Sequence, residues 1–120
     1  MNQELANVKV LLVEDEPLVA MSLVEQLTKA GAVVVGPCST TSRAVAELSE
    51  GDIDVAIIDY VLADDNSEGL QDVLEQRSVP FIIVTGYPRV LVRRHMRQRV
   101  LSKPIAPDVL ATTLRSLARA

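Results

Sequence analysis

Five short apolar runs, separated by stretches with helical character, constrain the fold of this chain more than any other feature. The runs are rich in valine and isoleucine and stay apolar at consecutive positions, which is typical of strands buried on both faces. The stretches between them repeat apolar residues at helical spacing and end near glycine or proline. The predicted strands lie within 8–13, 32–36, 54–59, 79–88 and 99–104.

The regular alternation of strands and helices predicts the architecture. Parallel strands need crossover helices, and right-handed crossovers place those helices on both faces of the sheet. We therefore predict an α/β protein, a doubly wound sandwich with a five-stranded parallel sheet. The 120 residues fit one domain, 1–120, because no linker, repeat or low-complexity segment divides them.

Charge is spread unevenly along the chain. The net charge is −4, yet residues 1–86 carry 4 basic and 15 acidic groups, and residues 87–103 carry 6 basic groups and no acid. This distribution, with two tyrosines and one phenylalanine for base stacking, argues against a nucleic-acid-binding protein.

The location of the protein is predicted from three further features. No apolar run approaches the roughly 20 residues of a membrane helix. The N-terminal segment lacks the basic and apolar regions of a secretory signal. A single cysteine, Cys38, cannot form an internal disulfide. We expect a cytoplasmic protein without membrane insertion.

Polar groups end four of the five predicted strands. Ligands of open parallel sheets bind beyond the carboxyl ends of the strands, so these groups are expected to meet at one edge. They are Glu14 and Asp15 after the first strand, Asp59 at the third, Thr85 at the fourth and Lys103 at the fifth.

Three carboxylates at one edge repel one another. Two like charges about 4 Å apart cost roughly 4 kcal/mol at an effective dielectric constant near 20. A Mg²⁺ ion relieves this repulsion, and it commonly bridges carboxylates to a phosphate. A lysine and a hydroxyl beside them suit phosphoryl oxygens. We therefore predict phosphoryl transfer to Asp59, which would form an aspartyl phosphate.

Four segments resemble the marker segments of response-regulator receiver domains, the CheY-like family. They are LLVEDEP, DVAIIDYVL, IIVTGYP and LSKP, which occur in the family's order along nearly the whole chain. The resemblance implies a (βα)₅ flavodoxin-like sandwich, a Mg²⁺ cofactor and phosphoryl transfer from a phosphohistidine. The donor would be a histidine kinase or a histidine phosphotransfer protein.

The resemblance implies a role for each matching position. The phosphoacceptor is Asp59. The metal ligands are Glu14, Asp15, Asp59 and the backbone carbonyl of Val61, with Asp15 favoured as the direct ligand. Thr85 is the switch hydroxyl and Lys103 the phosphate-binding lysine. The bond between Lys103 and Pro104 is expected to be cis.

The segment between the fourth and fifth strands departs from the common family pattern. The span from Thr85 to Lys103 is short, which predicts a shortened fourth helix, and Val100 replaces an aromatic residue that many receivers carry. PFIIVTGY resembles the PFxFxTGY signature of the so-called FAT GUY receivers. That resemblance implies a switch through Thr85, Gly86 and Tyr87.

The arginine-rich stretch near residues 89–99 is open to two interpretations. It is either a solvated helix face or a docking surface for an acidic partner. The candidate surface residues are Arg89, Arg93, Arg94 and Arg97.

The leading functional prediction is a stand-alone receiver of a two-component His-to-Asp relay. It would not be an enzyme but a phosphoacceptor that assists its own phosphorylation and dephosphorylation. It would signal as a monomer or weak dimer by phosphorylation-dependent binding of a downstream protein. One alternative is a pseudo-receiver that is never phosphorylated. Another is an aspartyl-phosphate phosphohydrolase, although Val61 stands where such enzymes usually carry a second acid.

Overall fold

The computed structural model describes residues 3–64, 66–86 and 91–119, so the predictions for Tyr87 and Arg89 lie outside the described residues. Among the described helices, none is long and apolar enough to cross a membrane. The strands are β1 (Lys9–Val13), β2 (Val33–Cys38), β3 (Val55–Asp59), β4 (Phe81–Thr85) and β5 (Val100–Ser102). The helices are α1 (Pro17–Lys29), α2 (Thr41–Glu50), α3 (Glu68–Gln76), a 3₁₀-helix (Arg94–Arg99) and α4 (Pro107–Arg119).

The five strands form one parallel sheet in the order β2-β1-β3-β4-β5. Asp59 at the end of β3 lies opposite Val84, and Thr85 at the end of β4 lies opposite Ser102. The register therefore brings the carboxyl ends of neighbouring strands to one edge. The predicted doubly wound α/β fold is confirmed.

The sheet separates two apolar cores, because side chains on a strand alternate between its faces. Leu11 and Val13 point to the core that includes α2 and α3. Val10 and Leu12 point to the core that includes α1 and α4. Both cores are dominated by valine, leucine and isoleucine, which agrees with the scarcity of aromatic residues.

In the described part of the connection between β4 and β5, residues 91–99, the helical structure is a 3₁₀-helix and not an α-helix, which agrees with the shortened fourth helix that the short span predicts. Like charges three or four residues apart destabilise an α-helix, and Arg97 follows both Arg93 and Arg94 at that spacing. Val92 and Met96 are nevertheless buried in the core beneath this connection.

Strand β2 runs two residues further than the sequence predicted, to Cys38. Its register against β1 shifts between Leu11 and Val13. Gly36 makes this irregularity possible, because it has a φ of +107° and any Cβ there would lie 2.6 Å from the carbonyl oxygen of Leu12. The Gly36–Pro37 peptide bond is cis.

A turn that precedes β1 belongs to the core, which the sequence did not predict. Leu5 is fully buried among α1 and α4, and its N–H donates to the carbonyl of Ala30 over 2.8 Å. Gly31, with a φ of +92°, lets the chain leave α1 closely against this turn. The turn thus closes one end of the second core.

We expect Leu5→Ala to lower the free energy of unfolding by roughly 2–4 kcal/mol, because it leaves a cavity among buried aliphatic side chains. The measurement is urea unfolding at equilibrium. Leu18→Ala is the matched control: Leu18 is 81% exposed, so its truncation changes stability by no more than about 0.5 kcal/mol. Equal losses in the two variants would contradict a core role for the turn.

Candidate functional site

Three carboxylates converge at the carboxyl edge of the sheet. One oxygen each of Glu14, Asp15 and Asp59 lies within 4.8 Å of the others. Glu14 and Asp59 are only 2% and 7% exposed, whereas Asp15 is half-buried. The backbone holds Glu14 in place, because its N–H donates to the carbonyl of Cys38 over 2.9 Å. The structure thus brings together three of the residues predicted to bind a metal.

Lys103 places a positive charge between two of these carboxylates. Its Nζ lies 3.0 Å from Oε1 of Glu14 and 3.3 Å from Oδ2 of Asp59. The backbone N–H of Lys103 donates to the carbonyl of Thr85 over 3.0 Å, which ties the end of β5 to β4. The Lys103–Pro104 peptide bond is cis, as the family resemblance implies.

Burial and charge determine the titration of this cluster. Burial, followed by the hydrogen bond and repulsion from Glu14, raises the pKa of Asp59 to about 7, although Lys103 opposes the shift. Burial alone would lower the pKa of Lys103, but the hydrogen bond that Lys103 donates to Glu14 and the charges of both carboxylates outweigh it and raise that pKa.

A cavity of about 500 Å³ opens beside the acidic cluster. It gives a small anion access to Asp59, with Lys103 on its wall. Thr85 is fully buried and, among the described residues, is not one that lines this space. The lining residues are Asp15, Glu16, Asp59, Val61, Gly86 and Lys103.

Tyr60 is a polar contact residue that the sequence analysis missed. Its hydroxyl lies 2.9 Å from Oε2 of Glu68 and 2.9 Å from the carbonyl oxygen of Leu91. Burial, followed by the hydrogen bond to Glu68, raises the pKa of Tyr60, so the hydroxyl remains a donor at neutral pH. Its position directly after Asp59 was the available signal.

The arginine-rich stretch is partly engaged within the chain. Arg93 forms an ion pair with Asp72 at 3.0 Å, and Nε of Arg97 donates to the carbonyl of Val92 over 3.0 Å. Arg94 is exposed. The docking role therefore stays a prediction, and of these three residues Arg94 presents its side chain most openly.

This site and fold define a class of protein. Residues 10–115 match the model of the response regulator receiver domain, and the chain belongs to that family.

Three individual proteins illustrate what this chain is similar to. The phyllosphere-induced regulator PhyR of Methylorubrum extorquens is 33% identical over an alignment of 104 residues, and the match covers 82% of this chain and 39% of that protein. The chain therefore spans about two-fifths of the length of this curated relative. The BeF₃-activated conformation of SdrG from Pseudomonas melonis Fr1 is 36% identical, has a TM-score of 0.80, and matches over 94% of this chain and 98% of its own. The anti-anti-sigma factor PhyR from Bartonella quintana is 29% identical, has a TM-score of 0.80, and matches over 94% of this chain and 47% of its own.

We expect Asp59→Asn to be more stable than the wild type at alkaline pH when metal is chelated. Because folding raises the pKa of Asp59 to about 7, the neutral carboxyl is the form that the folded state favours. The contribution of the neutral Asp59 carboxyl to the free energy of unfolding is fully present below about pH 4 and is lost as the pH rises through about 7. At alkaline pH the free energy of unfolding of the wild type should therefore be about 2–4 kcal/mol lower than that of the variant, because ionising the buried carboxyl costs free energy and the amide does not ionise.

The measurement is urea unfolding between pH 4 and 9 in the presence of a chelator. Asp52→Asn, at an exposed carboxylate, is the matched control and should follow the wild-type curve. A constant difference between wild type and Asp59→Asn across this range would show that Asp59 ionises as it does in water.

Proposed function

We propose that this chain is a phospho-receiver that accepts a phosphoryl group on Asp59 from a phosphohistidine. The observation that carries the proposal is that Asp59 lines a cavity of about 500 Å³, with its Oδ2 3.3 Å from the Nζ of Lys103. The membership of the receiver family supports it.

The transfer exchanges one bond to phosphorus for another. An oxygen of the Asp59 carboxylate forms the new O–P bond as the P–N bond to the donor's imidazole breaks, and the imidazole leaves with the electron pair. Negative charge spreads over the equatorial phosphoryl oxygens in the transition state. Lys103 on the cavity wall is placed to neutralise it.

The residues at this edge fit a hard divalent cation. Glu14, Asp15 and Asp59 supply three carboxylate oxygens within 4.8 Å of one another, and oxygen is the ligand that Mg²⁺ prefers. We propose that these carboxylates hold Mg²⁺ together with the backbone carbonyl of Val61, because Val61 is a residue that lines the same cavity. Bound Mg²⁺ would supply positive charge to the phosphoryl oxygens.

The proposed activity is that of an acceptor and not of an enzyme that turns over a separate substrate. The chain would assist its own phosphorylation and dephosphorylation through the same residues. The cavity supports this view over a pseudo-receiver, because its acids and Lys103 surround the acceptor. A phosphohydrolase is disfavoured by Val61 at the position of a second acid.

The exposed side of α1 is the proposed contact for the phosphohistidine donor. Leu18 and Met21 are 81% and 67% exposed, and α1 begins directly after the acidic pair. An apolar cavity of about 520 Å³ is lined by Leu18 and by Lys103, and Lys103 also lines the acidic cavity. A donor docked on these side chains would present its histidine next to Asp59.

The proposed output is phosphorylation-dependent binding of a protein partner. Relatives from Bartonella quintana and Brucella abortus that match this chain include PhyR proteins, and the first is described as an anti-anti-sigma factor. These relatives are about twice as long as their matched region, since the match covers 47% and 48% of them. We therefore propose a partner from a sigma-factor regulatory system as the first class to test.

We expect the wild type to gain one phosphoryl group when it is incubated with a small-molecule phosphodonor and Mg²⁺. Intact-mass spectrometry measures the gain. Asp59→Asn should gain none, and a chelator should abolish the gain, because the acceptor oxygen or the counter-charge is then missing. Asp52→Asn is the matched control and should be labelled like the wild type. Labelling of Asp59→Asn would overturn the assignment of the acceptor.

We expect Leu18→Glu and Met21→Glu to slow phosphoryl transfer from a phosphohistidine protein at least tenfold, because they place charge in an apolar contact. Labelling by the small-molecule donor should stay unchanged in both variants. Val33→Glu, at an exposed apolar position on the sheet edge, is the control. Equal slowing with both donors would place the defect in the acceptor site instead of the docking surface.

A further inference from the structure

The segment Leu91–Arg99, here called the strap, crosses the face of the sheet that α3 also covers. It carries Val92 and Met96, each 1% exposed, into the core beside Leu70 and Leu74 of α3. Its regular structure is a 3₁₀-helix, whose hydrogen-bond geometry is poorer than that of an α-helix. The position of the strap therefore depends on what its side chains and backbone contact.

The two ends of the strap make different contacts. The end at Leu91 is here called the near end, and the end at Arg99 is called the far end. At the far end, the guanidinium of Arg99 stacks 4.4 Å from the ring centroid of Phe81 and pairs with Glu75 at 3.2 Å. Val100 then enters the sheet as the first residue of β5. This end is joined to regular structure, so it can act as a hinge.

The near end of the strap is held by Tyr60. The hydroxyl contacts the backbone carbonyl of Leu91 and the carboxylate of Glu68 at the same 2.9 Å distance. One hydroxyl hydrogen serves both acceptors, so each contact is weaker than a fully formed hydrogen bond. These two contacts, here called a tie, connect Tyr60 with Glu68 at the start of α3 and with Leu91 at the start of the strap.

Arg93 is the second tie at this end. Its Nη2 lies within 3.1 Å of three oxygens on α3: the carbonyl of Glu68, Oε1 of Gln71 and Oδ1 of Asp72. That nitrogen has two hydrogens for three acceptors. Its Nε is buried and, among the described residues, has no hydrogen-bond partner. A buried donor left without a partner costs free energy, which offsets part of what the other contacts contribute.

Tyr60 lies next to the proposed phosphoacceptor along the chain, and the strap follows another residue of the cavity. Tyr60 follows Asp59 directly, and Gly86, which lines the cavity at Asp59, is five residues before Leu91. A shift of Asp59 can therefore reach the near end of the strap through Tyr60, whose hydroxyl contacts the carbonyl of Leu91.

We propose that the contacts of Tyr60 and Arg93 described above, here together called the fastener, hold the strap on α3. We further propose that phosphorylation of Asp59 breaks these contacts. Release would swing the near end about the Arg99 hinge and expose Val92 and Met96. The first half concerns the unmodified protein alone. The second half rests on the proposed function, because it requires a phosphoryl group at Asp59.

The fastener is tested by amide hydrogen exchange of the unmodified protein. We expect Tyr60→Phe, which removes only the hydroxyl, and Arg93→Gln to speed exchange in the strap about five- to tenfold, the effect of losing one hydrogen bond. Exchange in β1 and β3 should not change. Arg94→Gln is the matched control, since it removes the same charge from the neighbouring, exposed position.

Strap exchange in Tyr60→Phe and Arg93→Gln that is no faster than in Arg94→Gln would overturn the fastener. Faster exchange throughout the protein would also overturn it, because the residues would then support global stability instead of a local contact. Both outcomes are independent of whether Asp59 accepts a phosphoryl group.

The coupling is tested on the wild type with Mg²⁺ and beryllium fluoride, a phosphoryl mimic. We expect exchange in the strap to rise at least fivefold, and Asp59→Asn to show no rise. If intact-mass labelling shows that Asp59 is phosphorylated but strap exchange stays slow in the labelled protein, the coupling is wrong and the proposed function stands. If no label is gained, the proposed function fails, and the variants still decide the fastener.

Discussion

The ammonium group of Lys103, held between two buried carboxylates, is the interaction on which the rest of the site depends. Glu14 directly follows β1 and Asp59 ends β3, so the two carboxylates repel each other at the sheet edge, and Lys103, directly after the short strand β5, offsets that repulsion. The backbone N–H of Lys103 also donates to the carbonyl of Thr85, which joins the end of β5 to β4. Lys103 therefore lowers the repulsion at this edge, whereas burial of Asp59, followed by the hydrogen bond and repulsion from Glu14, raises the pKa of Asp59 to about 7.

Different elements cover the two faces of the sheet. Helix α1, with its exposed leucine and methionine, packs on one core, and the strap packs on the other. Asp59 lies at the end of the central strand, where both faces meet. The structure thus places Asp59 between the exposed apolar side chains of α1 and the strap.

The fold and the acidic cluster followed from sequence because a parallel sheet collects its strand ends at one edge. Asp59 and Lys103 could be placed together without any knowledge of their side-chain contacts. The contacts of Tyr60 and Arg93 could not, since they depend on how α3 and the strap face each other across residues far apart in sequence. The buried turn at Leu5 escaped prediction for a similar reason: a lone apolar residue shows no periodicity.

The division into two cores has a consequence for how complexes could assemble. Because α1 and the strap lie on opposite sides of the sheet, a protein bound at one need not leave before a protein binds at the other. The incoming and outgoing partners would then form a three-component complex around this chain. Signal flow would be limited by recruitment of the second protein and not by departure of the first.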